Sequence, residues 1–462
     1  MNSVLRAHKS LLLAGLGAAM FMAMGMQAVP VQAETLSDAL AAAYNSNPTI
    51  RAARAGQRAT DETVPAAKSG WRPVVTASGQ AGQQRFDAKG ASPVDSDPAS
   101  VTIQLTQPIF TGFRTTNAVA AAEAGVKAGQ AQLSATEQSI LLRAVAAYMD
   151  VVRDRRIVAL RNEDVKVLNE QLNAANARFK VGEITRTDVA QARASLSQSE
   201  TALALAKAQL AASESSYEQI IGSAPKSVGN PGLPKGLPGN LQQALSVASD
   251  SSPQLQAAAH AEQAARSQIG VARSGLLPQA SLVASYTALN KDSSSTGTEA
   301  TRQAYYGQIS VPLYQGGEVY AGVREAKQAA SQRRLQVIEA ERGVRQGVVA
   351  AWNNYVAAGQ AIASSNEQVK ASQLALEGVR QEAMVGSRTT LDVLNAQSEL
   401  VSAQIRLAQT EHDRIVGAYQ VLAQIGKLTP ADIGLGVENY DPAANYRRTR
   451  NKFIGTGVTE ID

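Results

Sequence analysis

The chain has 462 residues, 44% of them hydrophobic and only 4% aromatic, with 44 Lys+Arg against 39 Asp+Glu and no cysteine. The missing cysteine excludes a disulfide framework, a thiolate metal site, a cysteine nucleophile and a lipid-modified N-terminal cysteine. Of three histidines, His8 falls in a segment expected to be removed, so His260 and His412 cannot form a multi-histidine metal site within one chain. An Ala-, Gln-, Ser- and Leu-rich chain with so few aromatics reads as long helices with narrow apolar seams rather than an ordinary enzyme core.

Residues 1–33 read as a secretory signal: Arg6 and Lys9 form the basic start, Leu11 to Met26 the apolar stretch, and Val31-Gln32-Ala33 an A-x-A-like cleavage site. The apolar run is short of the roughly 20 residues a spanning helix needs. Losing Arg6 and Lys9 takes the formal charge from +5 to +3. That charge is spread along the chain, so no basic patch suits nucleic acid. No later segment qualifies as a spanning helix, so any membrane contact of the mature chain must come from strands.

The prolines reveal a duplication. Pro48 pairs with Pro253, Pro73 with Pro278, Pro108 with Pro312 and Pro225 with Pro430, at offsets of 205, 205, 204 and 205. At the same spacing A-K-S-G-W-R-P (67–73) answers A-R-S-G-L-L-P (272–278), Q-P-I-F-T-G (107–112) answers V-P-L-Y-Q-G (311–316), and Ile221-Gly222 answers Ile425-Gly426. The organisation read from this is a first repeat over 34–222, a Pro/Gly-rich surface linker over 223–240, a second repeat over 241–430 and a tail over 431–462.

Strands precede the long stretch of each repeat, with a helix expected ahead of them in the first. Val101, Ile103 and Leu105 alternate with Thr102, Gln104 and Thr106, and Ile309, Val311 and Leu313 alternate with Gln308 and Ser310. Period-2 alternation describes a strand greasy on one face and wet on the other. Partners upstream, 74–86 and 279–289, complete hairpins over 74–110 and 279–314, giving four strands joined by polar loops at 87–100 and 290–301. Trp71, Tyr286, Tyr305, Tyr306 and Tyr314 lie near the expected strand ends, where an interfacial aromatic belt or ordinary packing would use them.

Proline-free stretches follow in both repeats. Val165, Leu168, Leu172, Ala175, Phe179 and Val189, Ala192, Leu196, Ser199, Leu203 recur at 3,4 spacing, as do Val369, Ser372, Leu376, Val379, Ala383 and Val393, Ala396, Leu400, Ala403, Leu407. This is the heptad pattern of closely packed helices. Each run breaks once, at Gly182 and Gly386, so each stretch is expected to be a helical hairpin with its tip there. From Phe113 to Lys180 one helix would reach about 100 Å at 1.5 Å per residue.

Four strands with a lipid-facing band cannot stand alone in a bilayer, because open sheet edges are not tolerated in hydrocarbon. Two chains would give eight strands, a barrel filled by side chains; three would give twelve and an aqueous lumen. The competing reading is a secreted helical fibre with a small soluble sheet. An enzyme finds no support: nucleophile elbow, phosphate loop and HExxH are all absent.

The signal, the duplication, the Q-P-I-F-T-G junction and the V-G-x-x-T-x-x-D tips together resemble the TolC family of outer-membrane efflux and type I secretion channels, over roughly Glu34 to Pro430. The resemblance implies an α+β membrane channel: a homotrimer whose helical hairpins wall a periplasmic α-barrel and whose four strands per chain share a 12-stranded transmembrane β-barrel. It implies a periplasmic adaptor and an inner-membrane transporter of RND, ABC or MFS type docking at the tips near Gly182 and Gly386, contact with outer-membrane lipid, and no cofactor. Drugs or secreted proteins would leave through the duct.

At the tips, Thr185-Arg186-Thr187-Asp188 and Thr389-Thr390-Leu391-Asp392 share the form T-x-x-D. A capping box explains both acids, with threonine at the N-cap and the acid at N3. The resemblance adds a second role: Asp392 matches an acidic ring narrowing the periplasmic mouth, whose second acid is Asn395 here, which should weaken cation block. Arg388 matches the arginine of a gate latch, with Thr187 and Asp188 as partners. A tyrosine of that latch is replaced by Ala383. A solvated arginine is the alternative reading for Arg388. The basic run over 446–453 has no counterpart in the first repeat, reads as a solvated stretch and is assigned no function.

Overall fold

In the computed structural model, residues 34–290 and 300–458 are described; the expected signal segment, most of the second hairpin's loop and the last four residues lie outside them. The first repeat runs α1 (Leu36–Ser46), α2 (Pro48–Asp61), α3 (Thr63–Lys68), β1 (Val74–Ala81), β2 (Gln84–Phe86), β3 (Val94–Ser96), β4 (Ala99–Phe110), α4 (Arg114–Lys180) and α5 (Arg186–Ile221). The second runs α6 (Leu241–Ser251), α7 (Pro253–Arg273), β5 (Gln279–Asn290), β6 (Ala300–Ser310), α8 (Glu318–Met384) and α9 (Thr390–Gln424), and a short α10 (Ala444–Thr449) lies in the tail.

The paired prolines fall at matching places. Pro48 and Pro253 occupy the first turn of α2 and α7, where the absent N–H would have no helical partner. Pro73 and Pro278 immediately precede β1 and β5. The long helices α4 and α8 each have 67 residues, and each hairpin returns through a glycine at positive φ, Gly182 at 76° and Gly386 at 77°. The seams read from the sequence are buried or half-buried with one exception. Leu168, Ala175, Ala192 and Leu394 form one small core near the tips, with Leu172, Val189 and Leu196 packed on it. Phe179 breaks the expectation: it is exposed, because the helix pair ends at the turn before that position gains a partner. A larger core sits at mid-length, where α1, α6 and the linker wrap α4, α5, α8 and α9 around Tyr148, Tyr217, Leu141 and Leu422. The linker is tied down there: Tyr148 Oη donates to a backbone oxygen of this layer and accepts from Gly229 N at 3.0 Å.

The sheet has the order β1-β4-β5-β6, all antiparallel. The expected four strands are present with two corrections. The first hairpin is interrupted around Gly82 and Pro98, and its outer part is a separate pair, β2 with β3, so strand continues into the expected loop at 87–100. The second hairpin stops at Ser310 rather than 314, because Pro312 has no N–H for the ladder. Register sorts most of the side chains by polarity. Val75, Val101, Ile103, Leu105, Leu282, Tyr286, Tyr305 and Ile309 share one face, with Gln107, Thr301 and Gln303 among them, while Thr76, Ser78, Gln80, Thr102, Gln104, Thr106, Ser285, Thr287, Arg302 and Gln308 share the other, with Val74, Val283, Leu289 and Tyr306 among them. Thr102 and Thr287 hydroxyls bond across the polar face at 3.0 Å. The apolar face is exposed, from Leu105 at 38% to Tyr305 at 77%. Tyr286, Tyr305 and Tyr306 sit in mid-strand rather than at a strand end; Trp71 and Tyr314 alone of the five aromatics flank the sheet's foot.

Residues 431–458 are not a loose tail. Tyr440 N donates to Tyr44 Oη, the Arg54 guanidinium lies between the Tyr44 and Tyr440 rings at 4.5 and 4.6 Å, and Asn445 donates to buried Asp61 at 2.8 Å. The basic run therefore begins inside a packed segment.

Candidate functional site: the hairpin tips and the polar layer above them

The two tips face each other across a cleft of about 420 Å³ lined by Arg178, Glu183, Thr185 and Asp188 from one hairpin and Arg380, Met384, Arg388 and Thr389 from the other. Both acids close capping boxes. Thr185 N and Oγ1 donate to Asp188 Oδ2 at 2.9 and 2.7 Å. Thr389 N and Oγ1 donate to Asp392 Oδ2 at 2.9 and 2.8 Å. These bonds favour the charged carboxylates. Asp188 is held below the usual range first by the Thr185 hydroxyl, and Asp392 first by the Thr389 backbone N–H.

Arg388 pairs with Glu382 of its own hairpin, Nε to Oε2 at 2.8 Å, with both side chains half exposed. Asp188 shares its cleft, but the described Asp188 bonds go to Thr185 and those of Arg388 to Glu382. Thr187 and Asn395 are exposed, each on the first turns of a returning helix. The tips thus bring Arg388 and Asp188 to one cleft without bonding them. They also differ in polarity. At the first tip the outgoing helix carries the cation, Arg178, paired with Glu183 at 2.9 Å; at the second it carries the anion, Glu382.

Behind the tips lies a polar layer that sequence reasoning missed. Asp164 of α4, 5% exposed, accepts from Ser199 of α5 at 2.7 Å and from Gln397 of α9 at 3.1 Å, and Gln397 accepts from Arg380 of α8 at 3.0 Å. One carboxylate thereby ties both hairpins together. A residue such as Asp164 sits beside Val165 in the seam, and only its neighbours in space reveal that it points inward. Higher up, Asp150 of α4 lies 2.7 Å from Arg153 and 3.1 Å from His412 of α9. Burial opposes the charge on His412, yet Asp150 and Asp413 outweigh it and raise its pKa. Among the described residues no group of three or more His, Cys, Asp or Glu is placed to hold a metal ion, and no helix is long and apolar enough to cross a membrane.

A protomer that combines a four-stranded amphipathic sheet with two 67-residue hairpin helices has the build of an outer-membrane channel subunit. The chain belongs to the outer membrane efflux protein family, whose description matches it twice, over residues 39–223 and 244–426. The outer membrane efflux protein BepC of Brucella suis biovar 1 is 39% identical over 424 residues, covering 91% of this chain and 92% of that one. The outer membrane protein TolC of Escherichia coli K12 is 27% identical over 423 residues, covering 87% and 84%. Among solved structures, the Campylobacter jejuni CmeC outer membrane channel superimposes with a TM-score of 0.78 at 15% identity, covering 90% of this chain and 89% of its own. The open state of the Neisseria gonorrhoeae MtrE channel gives 0.69 at 20% identity, covering 85% and 89%. The family and fold thus bear out the channel expected from the resemblance, and this chain serves efflux across the outer membrane.

Proposed function

We propose that three copies of this chain close one 12-stranded barrel in the outer membrane of a Gram-negative bacterium and one helix-walled duct in the periplasm. The observation carrying this reading is the sheet. Its two edges, β1 and β6, have no partner strand among the described residues, one face is apolar and exposed, and the other is lined with Thr, Ser and Gln. Bilayer hydrocarbon demands that such edges close on one another, and twelve strands leave an aqueous lumen where eight would not. The duct is a passive exit with no chemistry of its own. Substrates reach it from an inner-membrane transporter of RND, ABC or MFS type through a periplasmic adaptor that seats on the tips near Gly182 and Gly386. Drugs and other toxic compounds are the substrates this reading favours. Protein export is the second reading, supported by the 24% identity to the alkaline protease secretion protein AprF of Pseudomonas aeruginosa over 77% of this chain.

The tips form the gate in this reading. Asp392 repeats around the three-fold axis as a cation-attracting ring, with Asn395 one turn above it, and Arg388, Thr187 and Asp188 supply polar links that docking rearranges. Since the described bond of Arg388 runs to Glu382, the resting latch holds the second tip's own shape, and a link to Asp188 forms only as the cleft narrows. Purified protein in planar bilayers tests the whole reading. A trimer by light scattering with discrete conductance steps is expected; a monomer that conducts nothing overturns it.

A further inference from the structure

We propose that the segment from Arg447 to Val458 is a membrane-interface anchor, binding anionic phospholipid headgroups of the periplasmic leaflet through its arginines and seating Phe453 and Ile454 at the acyl boundary. The inference rests on the reading that the sheet spans the outer membrane.

The path of the segment carries it. Beyond the mid-length core the chain lies in the groove between α2–α3 and α4 and climbs it in order. Tyr440 meets Tyr44 and Arg54, Asn445 meets Asp61 at 2.8 Å, and Asn451 meets Lys68 at 3.0 Å. Phe453 then stacks against the Arg72 guanidinium, 4.8 Å from its ring. From α4, Gln130 reaches the Pro442 carbonyl and Glu123 accepts from Tyr446 at 3.2 Å. Arg72 stands two residues before β1, and the apolar face of the sheet begins at Val75. The climb therefore ends at the height where protein leaves water for hydrocarbon, on the helix side of the sheet.

What the segment shows there suits that boundary. Phe453 is 61% exposed, Ile454 83% and Val458 87%, an apolar cluster that water does not reward. Arg448 and Arg450 are exposed beside it, and the nearby acids are engaged, Asp441 by Arg447 and Glu123 by Tyr446. Cations flanking aromatic and aliphatic side chains are the chemistry of an interfacial anchor on an anionic surface. The docked contacts fix the segment in place, so little ordering is lost when lipid binds.

The test uses the full-length channel in nanodiscs of phosphatidylcholine alone or with phosphatidylglycerol, reading amide hydrogen exchange over 446–458. Exchange is expected to slow in the anionic discs, less so at high salt. The variant Arg448→Gln/Arg450→Gln should lose the difference between lipids, and Phe453→Ser/Ile454→Ser should speed exchange in both, with conductance intact throughout. Equal exchange of the parent in both lipids, with conductance present, overturns the anchor while leaving the channel standing. Co-sedimentation with peptidoglycan that depends on the same arginines, without any lipid dependence, also overturns it. Absent conductance would instead strike the spanning sheet on which it rests.

Discussion

The two repeats share a backbone plan and differ wherever a side chain must answer to a neighbour outside its own repeat. In the first, the groove between α2 and α4 is filled by the chain's own C-terminal segment, with Arg54, Asp61 and Lys68 along its floor. In the second, the same positions on α7 hold Ala259, Arg266 and Arg273, and Arg266 turns to Glu262 on its own helix. The tips diverge likewise, with cation and anion exchanged between outgoing helix and turn. Duplication copied the helices, since heptad seams need only small apolar residues at the right spacing. It did not preserve the polar layers, because these join one repeat to the other: Asp164, Ser199 and Gln397 have Gln368, Ala403 and Arg193 at the matching places.

The most damaging way to break the pseudo-symmetry is at the two glycines that end α5 and the α9 region. Both take positive φ, Gly222 at 93° and Gly426 at 76°. A Cβ at Gly222 would meet the movable Ser46 hydroxyl at 3.2 Å, while one at Gly426 would meet the Ser251 carbonyl oxygen at 2.2 Å. Gly222→Ala should cost roughly 1–2 kcal/mol for the left-handed backbone alone. Gly426→Ala should cost about 3 kcal/mol or more, because backbone must also move. Heat-induced trimer dissociation on gels should separate the two; equal losses would remove the distinction.

Next in size is the polar layer behind the tips. Asp164→Ala strands the Ser199 hydroxyl and Gln397 amide in a buried site and should lower stability by about 1–3 kcal/mol. Gln368→Ala, its counterpart, should stay within roughly 0.5 kcal/mol. The proposed gate comes third. Arg388→Ser should raise single-channel conductance and Arg178→Ser, at the other tip, should raise it less; unchanged conductance in both would remove Arg388 from the gate. Asp392→Ala should weaken block by divalent cations. Because hydrogen bonds depress the Asp392 pKa, block in the parent should persist as pH falls to the ordinary carboxylate value of 3.8 and fade only below it.

The smallest expected effect is at His412, whose counterpart is Ala208. Its folded pKa lies above the ordinary 6.5. The stabilisation is therefore complete below 6.5 and is lost as pH rises through the folded value. His412→Gln should flatten the melting temperature measured between pH 6 and pH 8, whereas Ala208→His should leave it unchanged.

The elements follow from pattern in the chain. Proline spacing located the repeats, 3,4 periodicity located the seams, T-x-x-D located both caps, and period-2 alternation located the greasy and wet faces of the sheet. The proline spacing aside, these signals are local: each depends on residues within one helix or one strand, where covalent spacing fixes which side chains share a face. The interruption at Gly82 and Pro98 and the early stop before Pro312 lay partly within that reach, as prolines in strand patterns. Pairings beyond the reach of one turn or strand are settled by the tertiary structure. Arg388 could answer to Asp188 or to Glu382, and its reach within the folded tip selects Glu382. The basic stretch over 446–453 looks solvated as text, since nothing in its own spacing says that Tyr440 will cover Arg54 or that Asn445 will satisfy Asp61. A buried carboxylate takes whichever donor the packing brings within about 3 Å, and that choice is written in three dimensions.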